Sequence, residues 1–252
     1  MENHIREQEL LKIIEEKKYV SIANLSQTMY VSESTIRRDI ASLEGKKLVR
    51  KTRGGVLAIN DQSIEWPLIF KNQINSEKKK HIADLAVDFI GEGQTIFIDS
   101  SSTNLFLARK IKKLKSIIVI TNGIKTADFL SDETNLEVYS TGGKVYSKRS
   151  SLNGARACTY LSKCYVDLAF LTCRGLSANM GATDFSEEEA MVKMTIQQNA
   201  KCVILTADSS KFDKIFSHQS IPFENIDVII SDTDLPESIK KKVKNYDIEI
   251  VY

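Results

Sequence analysis

Residues 31–40 read Val-Ser-Glu-Ser-Thr-Ile-Arg-Arg-Asp-Ile, and this stretch decides the fold of the N-terminal part of the chain. Ser32 is a favourable N-cap, so a helix is expected to begin directly after it. Apolar residues then recur at i, i+4 and i+7, the spacing that places them on one face of a helix. They are Ile36, Ile40 and Leu43. The pattern predicts a helix that buries this face and leaves the opposite one in solvent.

The flanking residues extend this helix into a larger unit. A second helix is predicted to open at Ser21, another good N-cap, and a first one covers residues 5–17. Only the link Tyr30-Val31 separates the second helix from the third. Residues 48–59 alternate in polarity around Gly54-Gly55 and predict a two-stranded hairpin. Three helices and a hairpin in this order are typical of a winged helix-turn-helix.

The outward face of the third helix carries small polar groups and arginines near its N-terminus. A helix that lies in the major groove of DNA presents such groups to the bases. The candidate base-reading residues are Ser34, Thr35, Arg37 and Arg38. Cations of the wing would neutralise phosphates, and they are Arg50, Lys51 and Arg53. A solvated surface is the alternative for an isolated Arg-Arg pair, but the capped helices and the basic hairpin beside it favour double-stranded DNA as a partner.

The charge distribution supports the same interpretation. Residues 30–57 hold seven basic and three acidic residues, a net charge of +4 within a chain whose total is +2. The first 57 residues sum to +3 and the remainder to −1. Because nucleic-acid binding depends on where basic residues cluster, the local excess favours a DNA-binding N-terminal region.

From residue 76 onward, helical patterns alternate with continuously apolar runs. Such alternation predicts an α/β domain with a mainly parallel sheet covered on both faces. The predicted domains are a winged helix-turn-helix at 1–58, a polar linker at 59–75 and an α/β domain at 76–252. The predicted strands are 95–99, 117–121, 136–140, 167–172, 202–207, 227–231 and 248–252. The predicted helices are 77–90, 105–112, 124–130, 156–163, 187–200 and 237–246.

A candidate ligand site follows from this architecture, because ligands of open parallel sheets bind at the carboxyl ends of the strands. Asp99 and the hydroxyl residues after it stand at such an end. The hydroxyls and amides of this loop could cradle a phosphate while Asp99 accepts a hydrogen bond from a sugar hydroxyl. An ordinary Ser/Thr-rich N-cap turn remains the alternative. The candidate site residues are Asp99, Ser100, Ser101, Ser102, Thr103, Thr121, Asn122, Gly142, Gly143, Arg174 and Lys211.

A longer set of residues matches a known pattern along nearly the whole chain. In the first part it comprises residues 31–40 with Leu43, Leu48, Arg50 and Gly54-Gly55. Further on it comprises residues 99–103, Thr121-Asn122, Gly142-Gly143, Gly154, Glu189 with Lys193, and Asp208 with Ser210-Lys211-Phe212. By these residues the chain resembles the DeoR family of bacterial regulators.

The resemblance implies a C-terminal sensor domain with the fold of sugar-phosphate isomerases. It also implies a homo-oligomer, a dimer or tetramer, on DNA and a phosphorylated sugar or polyol intermediate as effector. Two departures from the family pattern change the expected shape and charge of the pocket. Tyr146 stands where an Arg is common, and Thr172-Cys173-Arg174 replaces the small residues usual before Gly175.

Two alternatives to a ligand-controlled regulator stay open at this point. The first is an isomerase-like enzyme fused to a DNA-binding module, but Leu171 and Arg174 occupy the places of its acidic residues and neither serves as a general base. The second is a regulator controlled by a protein partner.

The composition sets further limits. The four cysteines form no CxxC pair and have no histidine at ligand spacing, so neither zinc nor a disulfide is expected. No cofactor and no other metal are predicted. No apolar run reaches the length of a membrane span and the first residues are charged, so a cytoplasmic protein without membrane contact is expected.

Overall fold

The computed structural model describes residues 3–17, 19–46, 48–58, 68–133 and 136–252. The chain divides into two compact units, Met1–Trp66 and Pro67–Tyr252. The first part of the predicted linker, residues 59–67, lies outside the described residues, as does Ile59 of the predicted hairpin. The predicted fold class is confirmed: three helices and an antiparallel sheet come first, and an α/β unit with a parallel sheet follows.

The first unit contains the predicted helix-turn-helix. Its elements are α1 (Asn3–Lys17), β1 (Tyr19–Ser21), α2 (Ile22–Met29), α3 (Glu33–Gly45), β2 (Val49–Thr52) and β3 (Gly55–Ala58). The Ser21 and Ser32 side chains cap α2 and α3 as predicted, each accepting a bond from a backbone N–H. Ile36, Ile40 and Leu43 are wholly buried. The predicted apolar face of α3 is therefore the one that packs into the core.

The wing is larger than the predicted hairpin. The antiparallel sheet has the order β1-β3-β2, because residues 19–21 pair with β3 on its far side. The three residues of β1 are too few to show the alternation that predicts a strand. Gly55 makes this pairing possible, since a Cβ on it would lie 2.6 Å from the Val20 carbonyl oxygen. Gly54 has a φ of 95°, a conformation that suits glycine in the tight turn between β2 and β3.

The second unit is an α/β fold around a seven-stranded sheet. Its helices are α4 (Leu68–Lys71), α5 (Ser76–Val87), α6 (Ser102–Ile111), α7 (Ile124–Glu133), α8 (Ala155–Leu161), α9 (Glu187–Gln197) and α10 (Glu237–Val243). Its strands are β4 (Thr95–Ile98), β5 (Ile118–Thr121), β6 (Glu137–Ser140), β7 (Lys144–Tyr146), β8 (Ser151–Asn153), β9 (Val166–Leu171), β10 (Gly175–Ser177), β11 (Gly181–Asp184), β12 (Ala200–Thr206), β13 (His218–Ile221), β14 (Val228–Ile230) and β15 (Glu249–Val251).

The main sheet has the order β15-β14-β12-β9-β4-β5-β6, and every pairing in it is parallel. Its two faces bury two apolar clusters. Phe97 of β4 packs into one cluster, and its neighbours Ile96 and Ile98 pack into the other. Central strands buried on both faces explain why their sequences are continuously apolar.

Small antiparallel strands lie outside the main sheet, and the sequence pattern did not predict them. They form the pair β7–β8 and the sheet β10-β11-β13. Each is three or four residues long and carries glycine or polar residues, so periodicity could not reveal them.

The predicted linker was too long at its C-terminal end. Residues 68–75 belong to the second unit, where α4 and a turn precede α5. The Leu68 N–H donates to the Lys148 carbonyl at 2.9 Å, and the Lys79 ammonium donates to the Ile74 carbonyl at 2.7 Å. These bonds hold residues 68–75 within the second unit, although their polar composition is typical of a linker.

Candidate DNA interface and effector site

The N-terminal turn of α3 presents an ordered polar surface. Ser32 Oγ accepts the Thr35 N–H at 3.3 Å and lies 2.9 Å from Ser34 Oγ and 3.0 Å from Thr35 Oγ1. Arg37 is exposed and donates to Glu33 at 3.2 Å, one turn earlier on the same helix. The cap that starts the helix thus also fixes the hydroxyls that were predicted to face bases.

The remaining predicted DNA-binding cations are exposed. They are Arg38 on α3 and Arg50, Lys51 and Arg53 on the wing. Within the described ranges, Arg38 makes no ion pair or side-chain hydrogen bond. Exposed guanidinium groups on one helix and a neighbouring hairpin offer both base readout and phosphate neutralisation.

Asp39, which follows the arginines, has a structural role that the sequence did not reveal. It is buried, and Arg6 of α1 donates to its two oxygens at 2.6 and 3.0 Å. This bond to Asp39 is the largest influence on Arg6 and raises the pKa of its guanidinium. The pair fixes α3 against α1, so the charged run Arg37-Arg38-Asp39 divides into an outward part and an inward part.

The second unit contains a topological switch point between β4 and β9. The chain proceeds from β4 to β5 and β6 on one side of the sheet, then crosses to β9 and continues outward on the other side. In open parallel sheets, the crevice outside such a point is where ligands bind. Asp99 follows β4 and Thr172 follows β9, so both lie at this crevice.

Asp99 holds the crevice together. One carboxylate oxygen accepts from the Thr172 N–H at 2.8 Å and from its hydroxyl at 2.9 Å. The other accepts from the Ser101 N–H and from Asn104 Nδ2, both at 3.0 Å. A carboxylate offers about four acceptor sites, and all four are used within the chain. The geometry therefore does not support the predicted role of Asp99 as an acceptor for a sugar hydroxyl. Asp99 instead positions the loops that contain Ser101 and Thr172.

The hydroxyl loop after Asp99 is partly helical. We predicted a helix from residue 105, but α6 begins at Ser102, with Ser101 as N-cap accepting the Asn104 N–H at 3.1 Å. Ser102 and Thr103 are buried in its first turn, where a helix leaves amide groups without an intrahelical partner. Ser100 donates its N–H to Asn122 Oδ1 at 3.0 Å. The loop is both an N-cap turn and a row of amides at the switch point.

The neighbouring loops are tied to this one by buried polar side chains. Thr121 donates to the Ile98 carbonyl at 2.6 Å, and Asn122 donates to Asn153 Oδ1 at 3.0 Å. Gly142 and Gly143 have φ values of 63° and 111°, and a Cβ on Gly143 would lie 2.7 Å from the Asn153 carbonyl oxygen. The structure thus brings these predicted residues together at one edge of the sheet.

Lys193 of α9 is a buried cation at the same edge, and the predicted site did not include it. Its ammonium lies 2.6 Å from Asp184 Oδ2. Burial opposes the charged form, but the carboxylates of Asp184, Asp99 and Glu189 raise the pKa of Lys193 above its ordinary value. The lysine therefore stays charged, and its charge is matched by carboxylates of the chain itself.

Arg174 and Lys211 form a second group of cations, beyond the ends of β9 and β12. The Arg174 guanidinium lies 5.7 Å from the centre of the Phe216 ring. Burial lowers the pKa of Lys211, and the positive charge of Arg174 adds to this effect while Asp208 opposes it. Lys79 is also buried here, and burial lowers its pKa to about 8. Lys211, Lys79 and Arg174 thus bring positive charge to this side of the edge, beside the Asp208 carboxylate.

The positions that an isomerase-like enzyme would use lack a suitable base. Leu171 is wholly buried, and Arg174 is a cation. Within the residues that the structure describes, no cluster of histidine, cysteine and carboxylate side chains is arranged to hold a metal ion. No helix among them is long and apolar enough to cross a membrane.

Comparison with known proteins agrees with this geometry. A model of the DeoR-like helix-turn-helix domain matches residues 6–62, and a model of the DeoR C terminal sensor domain matches residues 74–233. The HTH-type transcriptional repressor GlcR of Bacillus subtilis is 32% identical, over 88% of this chain and 86% of its own length. The L-fucose operon activator of Haemophilus influenzae is 27% identical, over 98% of both.

Among solved structures, ribose 5-phosphate isomerase A of Methanocaldococcus jannaschii covers 55% of each chain, with a TM-score of 0.40 and 16% identity. At that level of similarity the isomerase carries no information about the chemistry of this chain.

A winged helix-turn-helix joined to a parallel α/β unit with a polar switch point defines a transcription regulator with a sensor domain. The chain belongs to the DeoR family, because the two family models together cover most of its length. The recognised resemblance is thereby confirmed.

Proposed function

We propose that this regulator represses an operon of carbohydrate or polyol metabolism and leaves its operator when a phosphorylated sugar binds the sensor domain. The observation that carries the DNA part is the exposed arginine face of α3, capped and held in place by buried contacts. The relatives support the metabolic class, since one is named for an L-fucose operon. They carry both signs of regulation in their names, so the sign is the part that experiment decides.

For the DNA contact, we propose that α3 lies in the major groove. Ser34, Thr35, Arg37 and Arg38 would read base edges, whereas Arg50, Lys51 and Arg53 would contact phosphates. A homo-oligomer, a dimer or tetramer, would place two such helices about one helical turn, or a multiple of it, apart on the operator. The operator is expected near the regulator's own gene. The regulator itself is expected in the cytoplasm, where the chromosome lies.

For the effector, we propose a phosphate ester at the switch point. The amides of Ser102 and Thr103 and the backbone of Gly142-Gly143, which has no side chains, suit the approach of a phosphate. Ser100, Ser101, Thr121 and Asn122 position this region, and Arg174 and Lys211 supply positive charge that a phosphate would offset. Asp99 contributes by fixing the loops rather than by touching the ligand.

The test is a binding assay with the full-length chain. We expect it to bind duplex DNA from the region upstream of its gene, and a phosphorylated sugar to weaken that binding. Candidate effectors are first screened by their effect on the unfolding temperature, because a ligand at 100 times its dissociation constant adds about 2.7 kcal/mol of stability. If no phosphorylated sugar or polyol shifts the unfolding temperature, the metabolite part is wrong and control by a protein partner replaces it.

A further inference from the structure

The turn between α2 and α3 carries an aromatic side chain in an unusual place. Tyr30 is 95% exposed, the largest exposure of any large apolar side chain in the described part of the protein. Its hydroxyl makes no hydrogen bond to any described residue. A tyrosine that contributes to a fold buries its ring and finds a partner for its hydroxyl. The first unit therefore gains almost no packing from this side chain.

The backbone of Tyr30 is also unusual for a bulky residue. It has a φ of 54° and a ψ of 39°, which is the left-handed region. Within the described ranges, the other non-glycine residues with positive φ are small and polar: Asn75, Ser116, Ser150, Asp213 and Asp247. Asn and Asp tolerate this region, whereas a bulky side chain in it is an outlier. Strained residues of this kind cluster at functional sites.

The turn itself imposes the left-handed conformation. The Tyr30 N–H donates to the Gln27 carbonyl at 3.4 Å, and the Val31 N–H donates to the Ser26 carbonyl at 3.2 Å. Ser26 Oγ donates to the Val31 carbonyl at 2.6 Å. Many helices end through a left-handed residue in this way, and glycine or asparagine is the usual choice. The turn thus explains the backbone angles but not the tyrosine, and its bonds give the side chain a fixed base.

Tyr30 stands close to the residues that we propose to read bases. Ser34 follows it by four positions, and four residues span at most about 14 Å. The major groove is about 12 Å wide, and the two phosphate backbones form its edges. A side chain this close to a base-reading residue is therefore within reach of the phosphates at the edge of the groove.

The chemistry of the region favours a phosphate as the partner of Tyr30. Residues 30–57 carry a net charge of +4, which attracts a polyanion. Tyrosine hydroxyls are among the groups that bond DNA phosphates, and a bond to an ionised oxygen is stronger than a neutral one. The exposed residues nearest in sequence, Gln27, Thr28 and Ser32, are polar, which disfavours an apolar patch for a protein partner.

We propose that the Tyr30 hydroxyl donates a hydrogen bond to a DNA phosphate at the edge of the groove that receives α3. The inference rests on the proposed function, because it needs α3 to lie on duplex DNA. It adds a neutral donor to the predicted phosphate contacts of the wing. Since phosphates carry no sequence information, this bond strengthens binding to every duplex alike and fixes the orientation of α3 on the DNA.

The test compares full-length wild type with Tyr30→Phe, which removes the hydroxyl and keeps the ring. The matched control is Tyr165→Phe, at a tyrosine of the second unit that is 79% exposed. Fluorescence anisotropy measures binding to two duplexes of equal length, one from the region upstream of the regulator's gene and one of random sequence. We expect Tyr30→Phe to bind both about tenfold more weakly, because a hydrogen bond to a charged group contributes about that factor. Tyr165→Phe is expected to bind both as wild type does.

Salt dependence distinguishes this contact from those of the wing cations. A cation that neutralises a phosphate adds to the slope of affinity against salt concentration, whereas a neutral hydroxyl does not. We therefore expect Tyr30→Phe to lower the affinity by the same factor at every salt concentration. A slope reduced as expected for Lys51→Ala contradicts a neutral donor at residue 30.

A second variant separates DNA contact from a role in folding. Tyr30→Gly removes the side chain and suits the left-handed backbone, so we expect its unfolding temperature to equal or exceed that of wild type. Its binding to both duplexes is expected to be at least as weak as that of Tyr30→Phe. Weaker DNA binding that comes with a lower unfolding temperature in both variants assigns Tyr30 to folding and overturns the proposal.

The two duplexes keep the failure of this contact distinct from failure of the proposed function. If Tyr30→Phe binds both duplexes like wild type, or loses affinity for the upstream duplex alone, the phosphate contact is wrong and the proposed function stands. If wild type prefers neither duplex, the proposed function fails, while the loss in Tyr30→Phe on random DNA still decides the contact. Wild type that binds no duplex at all overturns both.

Discussion

The outer face of α3 and the carboxyl edge of the large sheet treat their polar side chains in opposite ways. On α3, Arg38 is exposed and Arg37 has one exposed partner, so both can exchange water for DNA at little cost. At the sheet edge, Asp99 is buried and accepts four hydrogen bonds from the chain itself. The proposed DNA surface keeps its charged groups available, whereas the proposed effector site bonds most of its polar groups to one another.

The largest effect expected from this contrast is at Asp99. Asp99→Ala removes the acceptor of the buried Thr172 N–H and hydroxyl, of one Asn104 N–H and of the half-buried Ser101 N–H, so we expect the free energy of unfolding to fall by about 3 kcal/mol or more. Urea denaturation followed by circular dichroism measures it. Asp88→Ala, at an exposed carboxylate whose backbone has a negative φ, serves as control and is expected to change stability by less than about 0.5 kcal/mol. An equal loss of unfolding free energy in the two variants would contradict the difference between the buried and the exposed carboxylate.

The buried ammonium of Lys79 allows the comparison between buried and exposed polar groups to be tested by changing the pH. Its pKa is lowered to about 8 from 10.5, so between these values the unfolded chain holds the proton and the folded chain does not. The free energy of unfolding therefore rises with pH across this window, by on the order of 2–3 kcal/mol from this group. Urea denaturation at pH 8 and pH 10 measures the rise.

Lys79→Met removes this titration and is the matched comparison for the pH series. We expect the difference in stability between wild type and Lys79→Met to shift in favour of wild type as the pH increases. A difference that stays constant between pH 8 and pH 10 contradicts the lowered pKa.

At the exposed face, the effects appear in DNA binding rather than in stability. Arg38→Ala is expected to cost about 1–3 kcal/mol of operator binding and to relax specificity at one base pair. Lys51→Ala is expected to weaken operator and random DNA alike and to reduce the salt dependence. Fluorescence anisotropy with both DNAs at several salt concentrations separates the two. Equal losses on operator and random DNA for Arg38→Ala refute base readout by this residue.

The smallest effect concerns the exposed pair Arg37–Glu33. Because both side chains are half exposed, Glu33→Ala is expected to change the free energy of unfolding by only a few tenths of a kcal/mol, about 0.3–0.5. The same change removes a negative charge from the turn that we propose to face DNA, so we expect a modest gain in affinity for any duplex DNA. Thermal unfolding and anisotropy measure the two quantities, and a weaker affinity for DNA would show that Glu33 orients Arg37 productively.

Only some of the secondary structure was readable from the sequence. The caps at Ser21 and Ser32 and the parallel strands were predicted because local patterns of three to eight residues encode them. The strands β1, β7, β8, β10, β11 and β13 were missed, since their pairing partners, not their own alternation, hold them in place. The helix α4 was missed because residues outside it hold it in place: its Leu68 N–H donates to the Lys148 carbonyl, and the Lys79 ammonium donates to its Lys71 carbonyl.

The sequence by itself determined which residues of α3 face outward, because a helical period divides apolar from polar positions without help from the rest of the chain. The tertiary structure alone decided which carboxylate at the sheet edge is satisfied and which is not. Asp99 and Asp208 look alike in sequence, each following an apolar strand and preceding small hydroxyl residues. Among the described residues, however, Asp99 accepts four hydrogen bonds, whereas Asp208 Oδ2 is buried without a hydrogen-bond partner. Their difference comes from donors supplied by other strands and loops, and hydrogen bonding across such distances leaves no local pattern.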